Sequence, residues 1–229
     1  MNKFIKPPSV ARFITKNSIA WDFPTDEKKI YLTFDDGPIP QLTPQILEIL
    51  KKYDVKATFF CVGENIKKHP ETFNLLLQGN HDIGNHTYNH LNGWHISGSA
   101  YIKNVKKFDK LFYTPLLRPP YGKIKPIQIY KLAAAHRIIQ WSVLTYDFDQ
   151  TLSGQECLQI AINNIYSGAI VVFHDNIKAT ERVLYALPRF IEHCLAEGYS
   201  FHLISEKMEY PFSHKSNLGK IISQFGKQD

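Results

Sequence analysis

The sequence predicts a single α/β domain built on a parallel sheet. Strand-like and helix-like hydrophobic patterns alternate along most of the chain, and residues 169–173 (AIVVF) form the continuous apolar run of a parallel strand covered on both faces. The chain has 229 residues, 44% hydrophobic and 21% charged, an ordinary globular composition. That length buries enough surface for a core without help from a metal or a disulfide.

Each element has its own local reason. Residues 30–34 (IYLTF) read as the first strand, and Thr43 as N-cap with Pro44 at the first helical position starts a helix to about Lys52. Residues 55–62 form a second strand, 70–78 a helix and 82–84 a short third strand. A helix over 99–112 places Tyr101, Val105, Phe108 and Phe112 on one face. Residues 116–118 are a short strand, 126–135 a helix and 138–144 a strand. Ser153 and Glu156 make a capping box for a helix on which Leu158, Ala161, Ile162 and Ile165 recur at helical spacing up to Gly168. After the strand at 169–173, a helix over 181–197 ends at Gly198, and 201–204 is the last strand. Six or seven β–α units imply a sheet that is either doubly wound or closed into a barrel.

No internal repeat, low-complexity tract or Gly/Ser linker divides the chain. Residues 28–211 carry the alternating pattern and read as the domain proper. Residues 1–27 read as an extension packing on or near it, and 212–229 as a basic tail. No stretch approaches the ~18 consecutive apolar residues of a membrane span, and Pro7, Pro8, Arg12 and Lys16 interrupt any signal-peptide core, so no cleaved export signal is read. Cys61, Cys157 and Cys194 form no CxxC pair and sit among apolar residues, as buried free thiols do. The net charge of +6 and pI of about 9.0 permit an anionic partner. The lysines of 103–110 and 122–131, however, alternate with apolar residues at helical spacing, which is a solvated helix face, and no nucleic-acid module is visible. A monomer without nucleic acid is expected.

In either architecture the active site lies beyond the C-terminal ends of the strands. Asp35 and Asp36 follow the first strand, His86 and His90 the third, Arg118 the fourth, Asp147 the fifth and His174 the sixth. Asp35-Asp36-Gly37-Pro38 is turn chemistry, and it can also aim two carboxylates at one centre, one as metal ligand and one free to take a proton. His86 and His90 are four apart, which on a helical turn brings both rings to one face. With Asp36 they supply two nitrogens and one oxygen, a catalytic metal set with a position left for water. Asn85-His86-Thr87 matches a glycosylation sequon, discounted because a glycan there would block the site.

These stretches resemble the polysaccharide deacetylases of the NodB-homology type, carbohydrate esterase family 4. Thr33-Phe-Asp-Asp-Gly-Pro38 is similar to the first family motif, His86-Thr-Tyr-Asn-His90 to the second and Arg118-Pro-Pro-Tyr-Gly122 to the third. Residues 141–148 (WSVLTYDF) resemble the fourth motif and Val172-Phe-His174 the fifth, so the likeness spans 29–205. The resemblance implies a distorted (β/α) barrel of about seven parallel strands and one divalent ion held by Asp36, His86 and His90. That ion is expected to be Zn2+, with Co2+, Ni2+ or Mn2+ as alternatives. It implies Asp35 as general base, oriented and ionised by Arg118, the backbone N–H of Tyr121 as an oxyanion donor, and His174 as general acid tuned by Asp147.

The activity so implied is removal of N-acetyl groups from an N-acetylglucosamine-containing glycan of the chitin-oligomer or peptidoglycan type, releasing acetate. Leu144 stands where the family often has an aspartate, Phe148 where it has a tryptophan and Val172 where it has a leucine. The pocket for the acetyl methyl is therefore expected to differ. That leaves open an N-acyl compound other than a sugar, or an O-acetyl ester. A non-catalytic glycan-binding protein on the same scaffold is a further reading, opposed by the intact Asp35, Asp36, His86, His90, Arg118 and His174. Trp94 either stacks on a sugar or fills core space, and His95 reads as a surface residue.

Overall fold

A computed structural model describes Thr15 and residues 18–207; the basic tail at 212–229 and most of the 1–27 extension lie outside the described residues. Nine strands are present among them: β1 (Ile19–Ala20), β2 (Lys29–Asp35), β3 (Thr58–Cys61), β4 (Asp82–Asn85), β5 (Leu116–Leu117), β6 (Arg137–Ile139), β7 (Val143–Leu144), β8 (Ala169–His174) and β9 (Ser200–Phe201). They pair in parallel in the order β1-β6-β5-β4-β3-β2-β8-β7, with β9 added to the start of β2. The α-helices that lie wholly within the described residues are α1 (Thr43–Lys52), α2 (Gly63–Lys68), α3 (Pro70–Gln78), α4 (Gly98–Asp109), α5 (Pro126–Leu132), α6 (Gly154–Ile162) and α7 (Thr180–Ala196). None is long and apolar enough to cross a membrane.

The sheet curls into an incomplete barrel, and a single peptide segment shows how far. Residues 138–144, expected as one strand, split into β6 near one end of the sheet and β7 at the other. Gln140 N donates to Ala20 O of β1 at 2.8 Å, and two residues later Ser142 N donates to Ile170 O of β8 at 3.1 Å. Three extended residues reach no more than about 11 Å, so the two ends of the sheet must lie close together. This split, together with β1, raises the strand count from seven to nine.

Alternation along the strands divides the core in two. Ile30, Leu32 and Phe34 of β2 face outward and pack with Ile46 of α1 and Leu187 and Phe190 of α7. Tyr31 faces inward and meets Phe60, Leu116, Ile139, Ile170 and Ile204, which plug the barrel. Thr33 and Asp35 continue the inward row toward the C-terminal end.

Three local expectations are corrected. Thr43 does not cap α1, because its Oγ1 donates to Asp175 Oδ2 at 2.7 Å and accepts from Ile39 N; the capping position is Leu42, with no side-chain bond. The second strand begins only at Thr58, since Val55 N is spent closing α1 through Leu50 O at 2.9 Å. Helix α2 was not expected, and it follows directly on β3. The Ser153–Glu156 capping box is present, with Ser153 N donating to Glu156 Oε2 at 2.8 Å. All three cysteines are buried and free.

Candidate active site

Every site residue singled out in the sequence lies at the C-terminal mouth of the barrel. Asp35 is the last residue of β2 and His174 the last of β8, and the two are register partners. In β8, Ile170, Val172 and His174 form the row matching Tyr31, Thr33 and Asp35, so both functional side chains point into the barrel mouth.

Asp36 leaves this alternation. Its φ of 86° is a left-handed conformation that non-glycine residues seldom adopt, and it turns the second carboxylate toward the histidines. The turn is held from several sides. Asn65 Nδ2 donates to Asp36 O at 2.7 Å, Asn176 Nδ2 donates to Asp36 Oδ2 at 2.7 Å, and Gly37 N donates to Asp175 Oδ1 at 2.9 Å. A Cβ at Gly37 would sit 1.8 Å from Asp175 Oδ2, so only glycine fits against this buried acid. Burial pushes the Asp175 carboxyl up to about 8, against the bonds from Thr43 and Gly37.

His86 follows β4, and the tight loop to His90 carries positive φ at Thr87 (63°) and His90 (53°). Asn104 of α4 holds this loop, its Oδ1 accepting from Tyr88 N at 2.8 Å and Asn89 N at 3.0 Å. The pair therefore sits on a strained loop and not on the helical turn its spacing suggested. Seven non-glycine residues among those described have positive φ, and Asp36, Thr87, His90, Tyr121 and Tyr146 of these lie in the site motifs. Asn85 is fully buried, its amide donating to Val105 O and Asp109 Oδ1, which leaves no room for a glycan.

Asp36, His86 and His90 bring one ligand atom each within 4.8 Å of one another. His90 Nε2 is 3.0 Å and His86 Nε2 3.5 Å from Asp36 Oδ1. His86 Nδ1 lies 2.7 Å from the Arg118 carbonyl oxygen, which can only accept, so Nδ1 carries the proton and Nε2 offers its lone pair. Burial holds His86 down at about 4, in the neutral form a metal requires. Burial opposes ionisation of Asp36, but the His90 contact and the charge of His174 outweigh it and hold the carboxyl far below the usual range. The group is consistent with a divalent metal site.

Arg118, fully buried, holds Asp35. Its Nη1 donates to Asp35 Oδ1 at 2.7 Å and to Thr33 Oγ1 at 2.8 Å, its Nη2 to Gln140 O at 2.9 Å, and the guanidinium lies 4.1 Å over the Phe60 ring. On the other side, Asp147 holds His174 twice, accepting from its backbone N at 2.6 Å and pairing with Nδ1 at 2.7 Å. Arg182 Nε in turn donates to Asp147 O at 2.6 Å. Burial works against a charged His174, but Asp147, with Asp36 and Asp35 further off, raises it to about 9.

Asp35, Asp36, His86, His90 and His174 open on a cavity of about 770 Å³, lined also by Tyr121, Trp141, Leu144, Tyr146 and Phe148. Tyr121 is exposed and places its ring edge-on to His90, with centroids 4.6 Å apart. Leu144 and Phe148 do reach the cavity, whereas Val172 does not. It is fully buried on the barrel side of β8 below His174 and takes no part in the cavity lining. Trp94 is exposed and outside the lining, with its Nε1 donating to Ile124 O at 3.2 Å and Lys123 over its ring. His95 is exposed.

Residues that sequence reasoning missed are those that hold the others: Asn65, Asn104, Asp175, Asn176 and Arg182. Asp175 and Asn176 follow His174 directly, and Asn65 follows β3, whose end was not singled out. Carrying the strand-end argument up to four residues further would have found these three, whereas Asn104 in α4 and Arg182 in α7 lie beyond its reach.

Fold and site together are those of a hydrolase: a half-barrel with an Asp-His-His group beside Asp35 and His174. The profile of the polysaccharide deacetylases matches residues 22–136. The chain is 34% identical over 200 residues to a peptidoglycan-N-acetylglucosamine deacetylase of Bacillus cereus, covering 84% of this chain and 93% of that protein. It is 32% identical over 199 residues to the peptidoglycan-N-acetylglucosamine deacetylase PgdA of Listeria monocytogenes, covering 84% of this chain and 41% of that one. The crystal structure of the Bc1960 peptidoglycan N-acetylglucosamine deacetylase superposes with a TM-score of 0.79 at 30% identity, over 87% of this chain and 96% of that one. The chain belongs to the polysaccharide deacetylase family, carbohydrate esterase family 4, and is a deacetylase.

Proposed function

We propose that the protein removes N-acetyl groups from N-acetylglucosamine units of a peptidoglycan-type glycan, using Asp35 as general base and His174 as general acid. The ion held by Asp36, His86 and His90 is taken as Zn2+, which suits a set of two imidazoles and a carboxylate. The observation that carries the reading is that both carboxylates and all three histidines line one cavity of ligand-binding size. The substrate class is supported by the two relatives at 34% and 32% identity, both peptidoglycan N-acetylglucosamine deacetylases.

When bound, the ion supplies Lewis acidity, polarising the acetyl carbonyl and acidifying water. Asp35 takes the proton of the attacking water. Its Oδ1 is occupied by Arg118, so Oδ2 is the accepting atom. The oxyanion that develops on the acetyl carbonyl takes a hydrogen bond from the Tyr121 N–H, a contribution of about 3 kcal/mol. His174 engages Asp147 through Nδ1, which leaves its Nε2–H for the sugar nitrogen. As the C–N bond breaks, that proton passes to the nitrogen, giving acetate and a free amine. Asp35 then returns its proton to solvent and His174 regains one.

Acetate release and loss of acetyl mass from muropeptides, chitin oligomers and acetylated xylan, with Zn2+ content assayed in the same sample, test this. Release from muropeptides is expected. Release from xylan alone would overturn the N-acetyl reading, and binding of muropeptides by Zn2+-loaded protein without release would overturn the acid–base assignment.

A further inference from the structure

We propose that Asn176 is a positioning residue for the metal-binding carboxylate, holding Asp36 so that it presents one oxygen only. The inference rests on the reading of Asp36, His86 and His90 as the metal group. Asp36 Oδ1 faces His90 and His86, at 3.0 and 3.5 Å, whereas Oδ2 accepts from Asn176 Nδ2 at 2.7 Å. The two oxygens of one carboxylate thus have different partners, and the one turned toward the histidines is the ligand.

The far end of the amide decides its orientation. Asn176 Oδ1 accepts from Ala179 N at 3.1 Å, capping the 3-10 turn Ile177–Ala179, so the carbonyl end belongs to the turn and the NH2 end to Asp36. A flipped amide would oppose oxygen to oxygen at one end and N–H to NH2 at the other. Both contacts select the same orientation. The residue before it is fixed too, since Asp175 is anchored by Gly37 N and Thr43 Oγ1. Asn176 therefore reaches Asp36 from a rigid base, while Asn65 holds the Asp36 carbonyl from the α2 side.

The consequence is for ligation. A carboxylate whose second oxygen carries an N–H donor binds through the first, which keeps a metal position for water or the acetyl oxygen. Partners of this kind typically contribute 10–100-fold in metal affinity.

Asn176→Ser tests the role cleanly, because serine also caps a helical turn but is too short to reach Asp36. The full-length, metal-stripped protein is titrated with Zn2+ against a chromophoric chelator, and its metal-free melting temperature is measured. We expect about 10–100-fold weaker Zn2+ binding with unchanged metal-free melting. Should the serine variant fail to fold, Asn176→Thr carries the same expectation. Unchanged affinity in a folded variant would overturn the inference. So would a parallel drop in metal-free melting, which would assign Asn176 to the fold. Failure of the unsubstituted protein to bind Zn2+ would instead overturn the metal reading itself.

Discussion

Asp35 and His174 are register partners at the ends of adjacent parallel strands. Paired residues of neighbouring strands stand about 4.8 Å apart on the same face, so a carboxylate and an imidazole are set side by side without any loop between them. Their environments then separate them: Asp35 is tied to buried Arg118, and His174 to buried Asp147. The Asp147 charge outweighs burial and raises the His174 imidazole to about 9, while Arg118 occupies Asp35 Oδ1.

Adjacent carboxylates should fail differently. Asp35→Asn is expected to retain Zn2+ and lose at least about 100-fold in acetate release, the scale of a lost general base. Asp36→Ala is expected to lose both metal and activity. Metal content and kcat measured on the same preparations decide it, and full turnover by Asp35→Asn would remove Asp35 as the base.

Asp147→Asn should shift the alkaline limb of kcat/KM to lower pH. The imidazolium of His174 persists to about 9 because Asp147 outweighs its burial, so removing that charge lets the proton leave earlier. An NMR titration of the His174 ring alongside the rate profile checks the direction. An unmoved limb would show that another group sets it.

Arg118→Met should leave Asp35 as an uncompensated buried charge, with a loss of about 3–5 kcal/mol in urea unfolding. Asp35→Leu combined with Arg118→Met should recover most of that loss, since no charge remains to desolvate. Equal instability in the double variant would mean that Arg118 acts through packing on Phe60 and not through the ion pair.

His81 offers a stability test away from the site. Burial, with Lys56 nearby, pushes it down to about 4, and its Nδ1 accepts from Ala57 N at 3.2 Å. A depressed folded value means that its contribution is whole above about pH 6.5 and is lost as pH falls through about 4. His81→Asn should therefore show a shallower fall in melting temperature across that window than the unsubstituted protein. Parallel curves would sink the assignment.

The strands and the site motifs were legible because their signals are local. Alternation in 30–35 already places Tyr31, Thr33 and Asp35 on one face, and the polar residues closing each apolar run mark one end of a parallel sheet. Thr43 was misread for the opposite reason. Its composition signal is that of a cap, but Asp175, distant in the chain, takes its hydroxyl. Likewise nothing within 138–144 shows that its two halves join opposite ends of the sheet; the break falls where Gln140 N bonds Ala20 O and Ser142 N bonds Ile170 O.

The chain order of Asp35, Asp36, His86, His90, Arg118, Asp147 and His174 was enough to specify which chemical groups meet at the mouth, since strand ends in parallel sheets converge. Folding alone decided how each group is held: which oxygen of Asp36 faces the histidines, which nitrogen of His86 is free, and which acid sits behind Gly37. Those choices depend on hydrogen bonds between residues up to 140 positions apart, such as Asn176 to Asp36, and a hydrogen bond is directional in a way that hydrophobic spacing is not.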